Sequence, residues 1–241
     1  MVPSLKRAAR IGARVSTLVV VVFACLLPSR ADAFWVVNFG TAETLRPGQV
    51  GFAAGMGGQA VFVGDPTRSN AFFLIPHAGI RLGLSDRLDA GFRLAPVPLP
   101  FSTVGPGFGA NLDVKLRITD ADSNVGFSVI AGAGGAHVLV LDEHKAAFSP
   151  NGALLLSFKT SDATTLTTMA RYVYLGIPTA SGGASDNFVH IAGASLGLKI
   201  QALPSVAVLP EVGAYWYEGR ISDVRMAGPG FQYGIMLATT F

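Results

Sequence analysis

Phe231-Gln-Tyr-Gly-Ile-Met-Leu-Ala-Thr-Thr-Phe241 alternates without a break. Read as a strand, it puts Phe231, Tyr233, Ile235, Leu237, Thr239 and Phe241 on one face, because successive side chains of a strand point to opposite sides. Termini of soluble chains usually fray into water and bury little. A sheet that closes on itself instead needs its last strand to seal an edge whose backbone groups would otherwise stay unpaired. The stretch therefore predicts the closing strand of a β-barrel.

Nine further segments of about ten residues share its phase, a pattern expected of barrel strands. Val50, Phe52, Ala54 and Met56 begin the first; Leu74, Ala78, Ile80, Leu82 and Leu88, Ala90, Phe92, Leu94 mark the second and third. Ala110 to Ile118, Val125 to Ala131, Leu154 to Phe158, Leu166 to Tyr174, Ala192 to Ile200 and Val206 to Trp216 supply the rest. The opposite phase holds many glycines together with Arg81, Arg87, Asp89, Arg93, Asp113, Lys115, Arg117, Lys159, Arg171, Lys199 and Glu211. A Lys or Arg facing lipid at the bilayer midplane costs about 2–4 kcal/mol. In a membrane the charged phase therefore has to face the lumen, with Arg81, Asp89, Arg93, Asp113, Lys115, Arg171, Lys199 and Glu211 as its candidate lining.

The connections alternate in length. Short ones fall at Ser85-Asp86, Thr119 to Asn124, Ser161-Asp162 and Leu203-Pro204, and long ones at 63–70, 95–107, 137–148, 177–187 and 217–229. Transmembrane barrels show short turns on one side and longer loops on the other. Phe62, Tyr172, Tyr174, Trp216, Phe231 and Tyr233 lie near the long-loop ends, and Phe127, Phe158 and Phe241 near the other rim, as two aromatic girdles would. Pro76 and Pro210 interrupt strands and predict bulges, since proline gives no N–H to a ladder. The fold class expected is all-β: a closed antiparallel transmembrane barrel of about ten strands over 49–241. Eight or twelve strands stay compatible, because the apolar stretch 34–40 has no place in the pattern.

Residues 1–33 read as a secretory signal, with Lys6, Arg7, Arg10 and Arg14 ahead of the apolar Leu18 to Leu27 and a small-residue cleavage site at Ala31-Asp32-Ala33. Cleavage between Ala33 and Phe34 would leave 34–48 as a periplasmic N-terminal extension. The apolar run is too short for a spanning helix, which needs about 20 residues. Cys25 follows Val22-Phe23-Ala24, but Phe23 is bulky for a lipoprotein box and Leu26-Leu27 continue the apolar run. Losing five basic residues and one acidic takes the formal charge from +3 to −1, so the basic balance of the whole chain is no argument for nucleic acid. The only cysteine leaves too, which excludes thiol nucleophiles, thiolate metal sites and disulfides from the mature chain.

The cleavable signal, Gly-Leu-Ser-Asp-Arg-Leu-Asp-Ala-Gly at 83–91 as a strand-turn-strand unit, Leu-Pro-Glu-Val-Gly at 209–213 and the final Phe241 together resemble the small outer-membrane β-barrel proteins of Gram-negative bacteria, the broad group of barrels like OmpA and OmpW. That resemblance implies residence in the outer membrane, contact with its lipid and lipopolysaccharide, and insertion by the barrel-assembly machinery through Phe241. It implies little about a ligand, because such barrels share architecture more than task.

Chemistry has little to stand on in the sequence. Asp142-Glu143-His144 sits in a loop without a second acidic pair, and His190 and Ser195, five apart, point to opposite faces of a regular strand. The glycine clusters at 55–58, 105–109 and 132–135 lack a following helix and a Gly-Lys-Ser/Thr end. His77, His137, His144 and His190 show no metal-ligand spacing. The reading is a non-enzymatic barrel with a structural or surface-interaction role, without cofactor, metal or nucleic-acid partner. Two alternatives remain. Eight basic strand charges against three acidic would suit a narrow passive channel for small solutes, anions among them. A periplasmic lipocalin-like carrier would turn the apolar face inward instead.

Overall fold

The computed structural model describes residues 40–62, 69–97, 107–140, 143–177, 187–221 and 224–241. Ten strands form in them: β1 (Val50–Phe62), β2 (Ser69–Ser85), β3 (Leu88–Val97), β4 (Gly107–Arg117), β5 (Val125–Val140), β6 (Glu143–Lys159), β7 (Thr164–Ile177), β8 (Asn187–Leu203), β9 (Val206–Ile221) and β10 (Val224–Thr240). Each pairs antiparallel with its sequence neighbours and β1 pairs with β10, so the sheet closes into a barrel. The seam runs from Gly51↔Thr240 to Val61↔Gly230. Val50 and Phe241 finish it by exchanging backbone hydrogen bonds of 2.9 and 3.2 Å, which leaves no strand edge to template association.

The alternation of the sequence becomes the two faces of the wall. Phe52, Ile80, Leu112, Leu154, Leu196, Val212 and Ile235 stand outward, Leu112 with 65 % of its surface exposed. Between them Asp89, Asp113, Lys115, Ser128, Ser195 and Glu211 turn inward and are buried. An apolar belt of this extent is costly in water and natural in hydrocarbon. The geometry also removes the basis of the carrier reading, in which these same apolar faces would line the cavity.

Three details differ from the sequence reading. The long loops read at 137–148 and 217–229 are largely strand, since β5 reaches Val140, β6 starts at Glu143, β9 reaches Ile221 and β10 starts at Val224. Beyond Trp216 the outward positions of that second hairpin become polar, with Glu218, Arg220 and Arg225 exposed, as expected of wall that rises past a bilayer. Near Pro76, Gly57 pairs with Ile75 but Gln59 with Phe72, so β2 carries one extra residue there. Pro210 causes no bulge. The β8–β9 ladder merely lapses between Gly197↔Glu211 and Ile200↔Val208, where proline has no N–H to give.

Candidate functional site

The lumen is filled from the turn end by backbone. Segment 34–48 is described from Gly40 onward, and there it lies inside the barrel mouth. The Ala42 amide donates to Ser157 Oγ (2.8 Å), and Ser128 Oγ donates to the Ala42 carbonyl (2.5 Å). Lys115 Nζ donates to the carbonyls of Thr41 (3.2 Å) and Glu43. The Leu45 amide reaches Asp89 Oδ2 at 3.3 Å. Gly48 turns the chain with φ +78°, a conformation glycine adopts freely, so that its amide meets the Gly83 carbonyl at 2.9 Å. A side chain at Gly83 would collide with the Arg46 carbonyl. Lys199 closes the plug by pairing with Glu43 at 2.7 Å. Burial alone would raise the Glu43 carboxyl, but the Lys199 ammonium and the Thr41 hydroxyl outweigh it and hold the group below its ordinary value of 4.5.

Above the plug lies a belt of charge. Arg81 spans both Asp89 and Asp113. Arg93 takes the other oxygen of Asp113 at 2.9 Å, and Lys115 the other oxygen of Asp89 at 3.3 Å. Both carboxylates are sealed from solvent, with 0 % side-chain exposure. Register explains why such long side chains fit. Arg81 is opposite Gly51 and Gly91, Arg93 is opposite Gly79, and Asp113 is opposite Gly91 and Gly132. A Cβ at Gly91 would come within 2.6 Å of Arg81 Nη2, and one at Gly79 within 2.7 Å of Arg93 Cγ. These lumen glycines are sockets for the neighbouring strand's charge.

The register sets Lys199 diagonal to Glu211, since Gly197 is opposite Glu211. In the fold Lys199 goes to Glu43, while Glu211 lies by Ser195 and feels the charge of Arg171. Arg171 stays on the lumen side of β7, half-buried.

The long-loop half is stopped by apolar side chains that the two-phase reading does not anticipate. Val61, Val173, Leu175, Ile177, Val189, Ile191, Tyr215 and Tyr217 form one buried cluster, with Tyr217 only 1 % exposed. Gln232, opposite Gln59 across the seam, donates to the Tyr217 hydroxyl at 3.0 Å and to Gln59 Oε1 at 3.3 Å. The Gln232 amide so engaged loses little to desolvation, whereas the buried Gln59 Nε2 has no hydrogen-bond partner among the described residues. Beside the plug, against β1, β2, β9 and β10, remains a cavity of about 410 Å³.

On the outer face, Phe62 meets Phe231 edge to face at 6.4 Å, and His190 sits 5.3 Å from both the Tyr174 and Phe188 rings. The Tyr172 hydroxyl and His190 Nδ1 are 2.6 Å apart. Trp216 and Tyr233 share that face, and Phe241 stands exposed at the opposite rim. Ser195 is buried in the lumen on the other side of the wall from His190. Of the acidic loop triplet, Asp142 lies outside the described residues, and Glu143 and His144 open β6. Among the described residues no group of His, Cys, Asp and Glu could hold a metal ion.

No protein-family model matches the chain, and no curated protein matches it. Solved structures do. The outer membrane protease OmpT from Escherichia coli superposes with a TM-score of 0.51 at 11% identity, over 83% of this chain and 100% of that one. An outer membrane channel from Pseudomonas putida F1 gives a TM-score of 0.52 at 12% identity, over 85% of this chain and 100% of that one. One is a protease and the other a channel, so the likeness carries architecture and no task. With its outward apolar belt, inward charge and unbroken ring of ten strands, the chain has the fold of the outer-membrane β-barrels.

Proposed function

We propose that the chain is exported through cleavage at Ala33/Phe34 and works in the outer membrane as a closed, non-enzymatic barrel with a structural or surface-interaction role. The observation that carries this is a lumen blocked twice, by residues 40–45 at the turn end and by the Tyr217 cluster in the long-loop half. A barrel of this size is near the limit that side chains can fill. Its outward belt would meet lipid, and the aromatics from Phe62 to Tyr233 would sit at the lipopolysaccharide interface, below the exposed Glu218, Arg220 and Arg225. The hairpins beyond them would present any recognition surface. Planar-bilayer recording on the purified protein tests the closed state. No discrete openings are expected, and steady salt-dependent openings of the intact chain would establish the narrow-channel reading in its place.

A further inference from the structure

The cavity beside the plug has two unlike walls. Ala53, Ala207, Leu209, Met236 and Ala238 form an apolar cluster from β1, β9 and β10 on one side. Arg81 and Arg93 from β2 and β3, with Lys199 from β8, line the other. Arg81 and Arg93 keep 23% and 22% of their side chains accessible, although the carboxylates they bond are sealed. Among the described residues the belt is also unbalanced, with Arg81, Arg93, Lys115 and Arg171 set against Asp89, Asp113 and Glu211. One positive charge is left over in a low-dielectric interior, where an uncompensated charge is expensive and an anion is welcome. The volume of about 410 Å³ lies within the range of small-molecule sites, roughly 300–1,000 Å³. Pro204, Ser205 and Thr240 also line it, so it reaches the turn-end rim.

We infer that this cavity is a binding site for a small amphiphilic monocarboxylate, whose carboxylate meets Arg81 and Arg93 while its apolar body lies on Leu209 and Met236. The assignment goes beyond the closed-barrel reading, and its test is independent of conductance. Calorimetric titration of the purified barrel compares hexanoate with hexanamide, which lacks the charge, and with acetate, which lacks the body. Hexanoate should bind saturably with one site per chain, and each control about ten-fold or more weakly, the worth of one charge-assisted hydrogen bond or of the apolar contact. Arg93→Gln should bring hexanoate down to the level of hexanamide. Ala53→Phe, which fills the cavity and leaves the charge belt untouched, should abolish binding while the unheated barrel runs on gels as the folded wild type does. Absence of saturable hexanoate binding, equal affinity for hexanamide, or undiminished binding in a folded Ala53→Phe barrel would each overturn the inference.

Discussion

Asp113→Asn removes one charge from the belt and almost no volume. The carboxylate it replaces has 0% side-chain exposure and holds Arg81 through one oxygen and Arg93 through the other. In the variant, Arg81 and Lys115 would share Asp89 and Arg93 would lose its Asp113 partner, deepening the existing surplus from one positive charge to two. Breaking a buried ion pair from one side costs about 3–5 kcal/mol, mainly because the partner charge stays behind. The exposed pair Arg87–Asp120, with side chains 58% and 84% accessible, is the internal control; Asp120→Asn should leave stability unchanged within error. The assay is equilibrium guanidinium unfolding of the barrel in phospholipid vesicles, followed by tryptophan fluorescence. Arg93→Gln added to Asp113→Asn should recover about 1 kcal/mol or more, since it removes a stranded cation. An Asp113→Asn barrel within about 1 kcal/mol of wild type would refute the claim that this belt is a desolvated network.

Two further outcomes follow from the same geometry. Because the Glu43 carboxyl is held below 4.5 in the folded state, its pairing with Lys199 contributes stability that is fully present above pH 4.5 and is lost as pH falls through the lowered value. The thermal midpoint of wild type should therefore exceed that of Glu43→Gln at neutral pH, and the gap should close on acidification below that point; a gap independent of pH would contradict the plug latch. Gly91→Val should destabilise by about 1–3 kcal/mol through overpacking against Arg81, whereas Gly135→Ala, whose Cβ would meet nothing nearer than the Ala147 carbonyl at 3.7 Å, should be neutral in the same unfolding assay.

Strand number, closure and the direction of each face were legible because one phase of every segment is apolar and the other is glycine or charge, a contrast that survives in Leu88 to Leu94 and Ala110 to Ile118. Where both phases are apolar the contrast vanishes. Tyr172 to Ile177 and Phe188 to Ile191 read simply as wall, yet Val173, Leu175, Ile177, Val189 and Ile191 are the stopper. The strand end at Ile221 was missed for the opposite reason. Past the membrane band an outward position no longer has to be apolar, so Glu218, Arg220 and Arg225 look like loop. The plug had no period to detect, since its place is set by contacts remote in sequence, Ala42 with Ser128 and Ser157, and Lys115 with Thr41. That is also why Glu43 was absent from the expected lumen charges. The Gln59–Gln232–Tyr217 cluster becomes readable only once the seam register puts the two glutamines opposite each other.

Cys25 is the only cysteine and falls in the segment proposed to be cleaved, so in a barrel expressed from residue 34 single cysteines introduced at Leu112, Val212, Ser128 and Ser195 can carry spin labels without a background. Accessibility to dissolved oxygen and to a water-soluble nickel chelate, measured for each in lipid, tests the orientation of the wall directly. Labels at Leu112 and Val212 should be reached by oxygen and shielded from nickel, and labels at Ser128 and Ser195 should be shielded from both. Lipid exposure at the two serines, or free access of nickel to Leu112 and Val212, would contradict a barrel with hydrocarbon outside and charge sealed within.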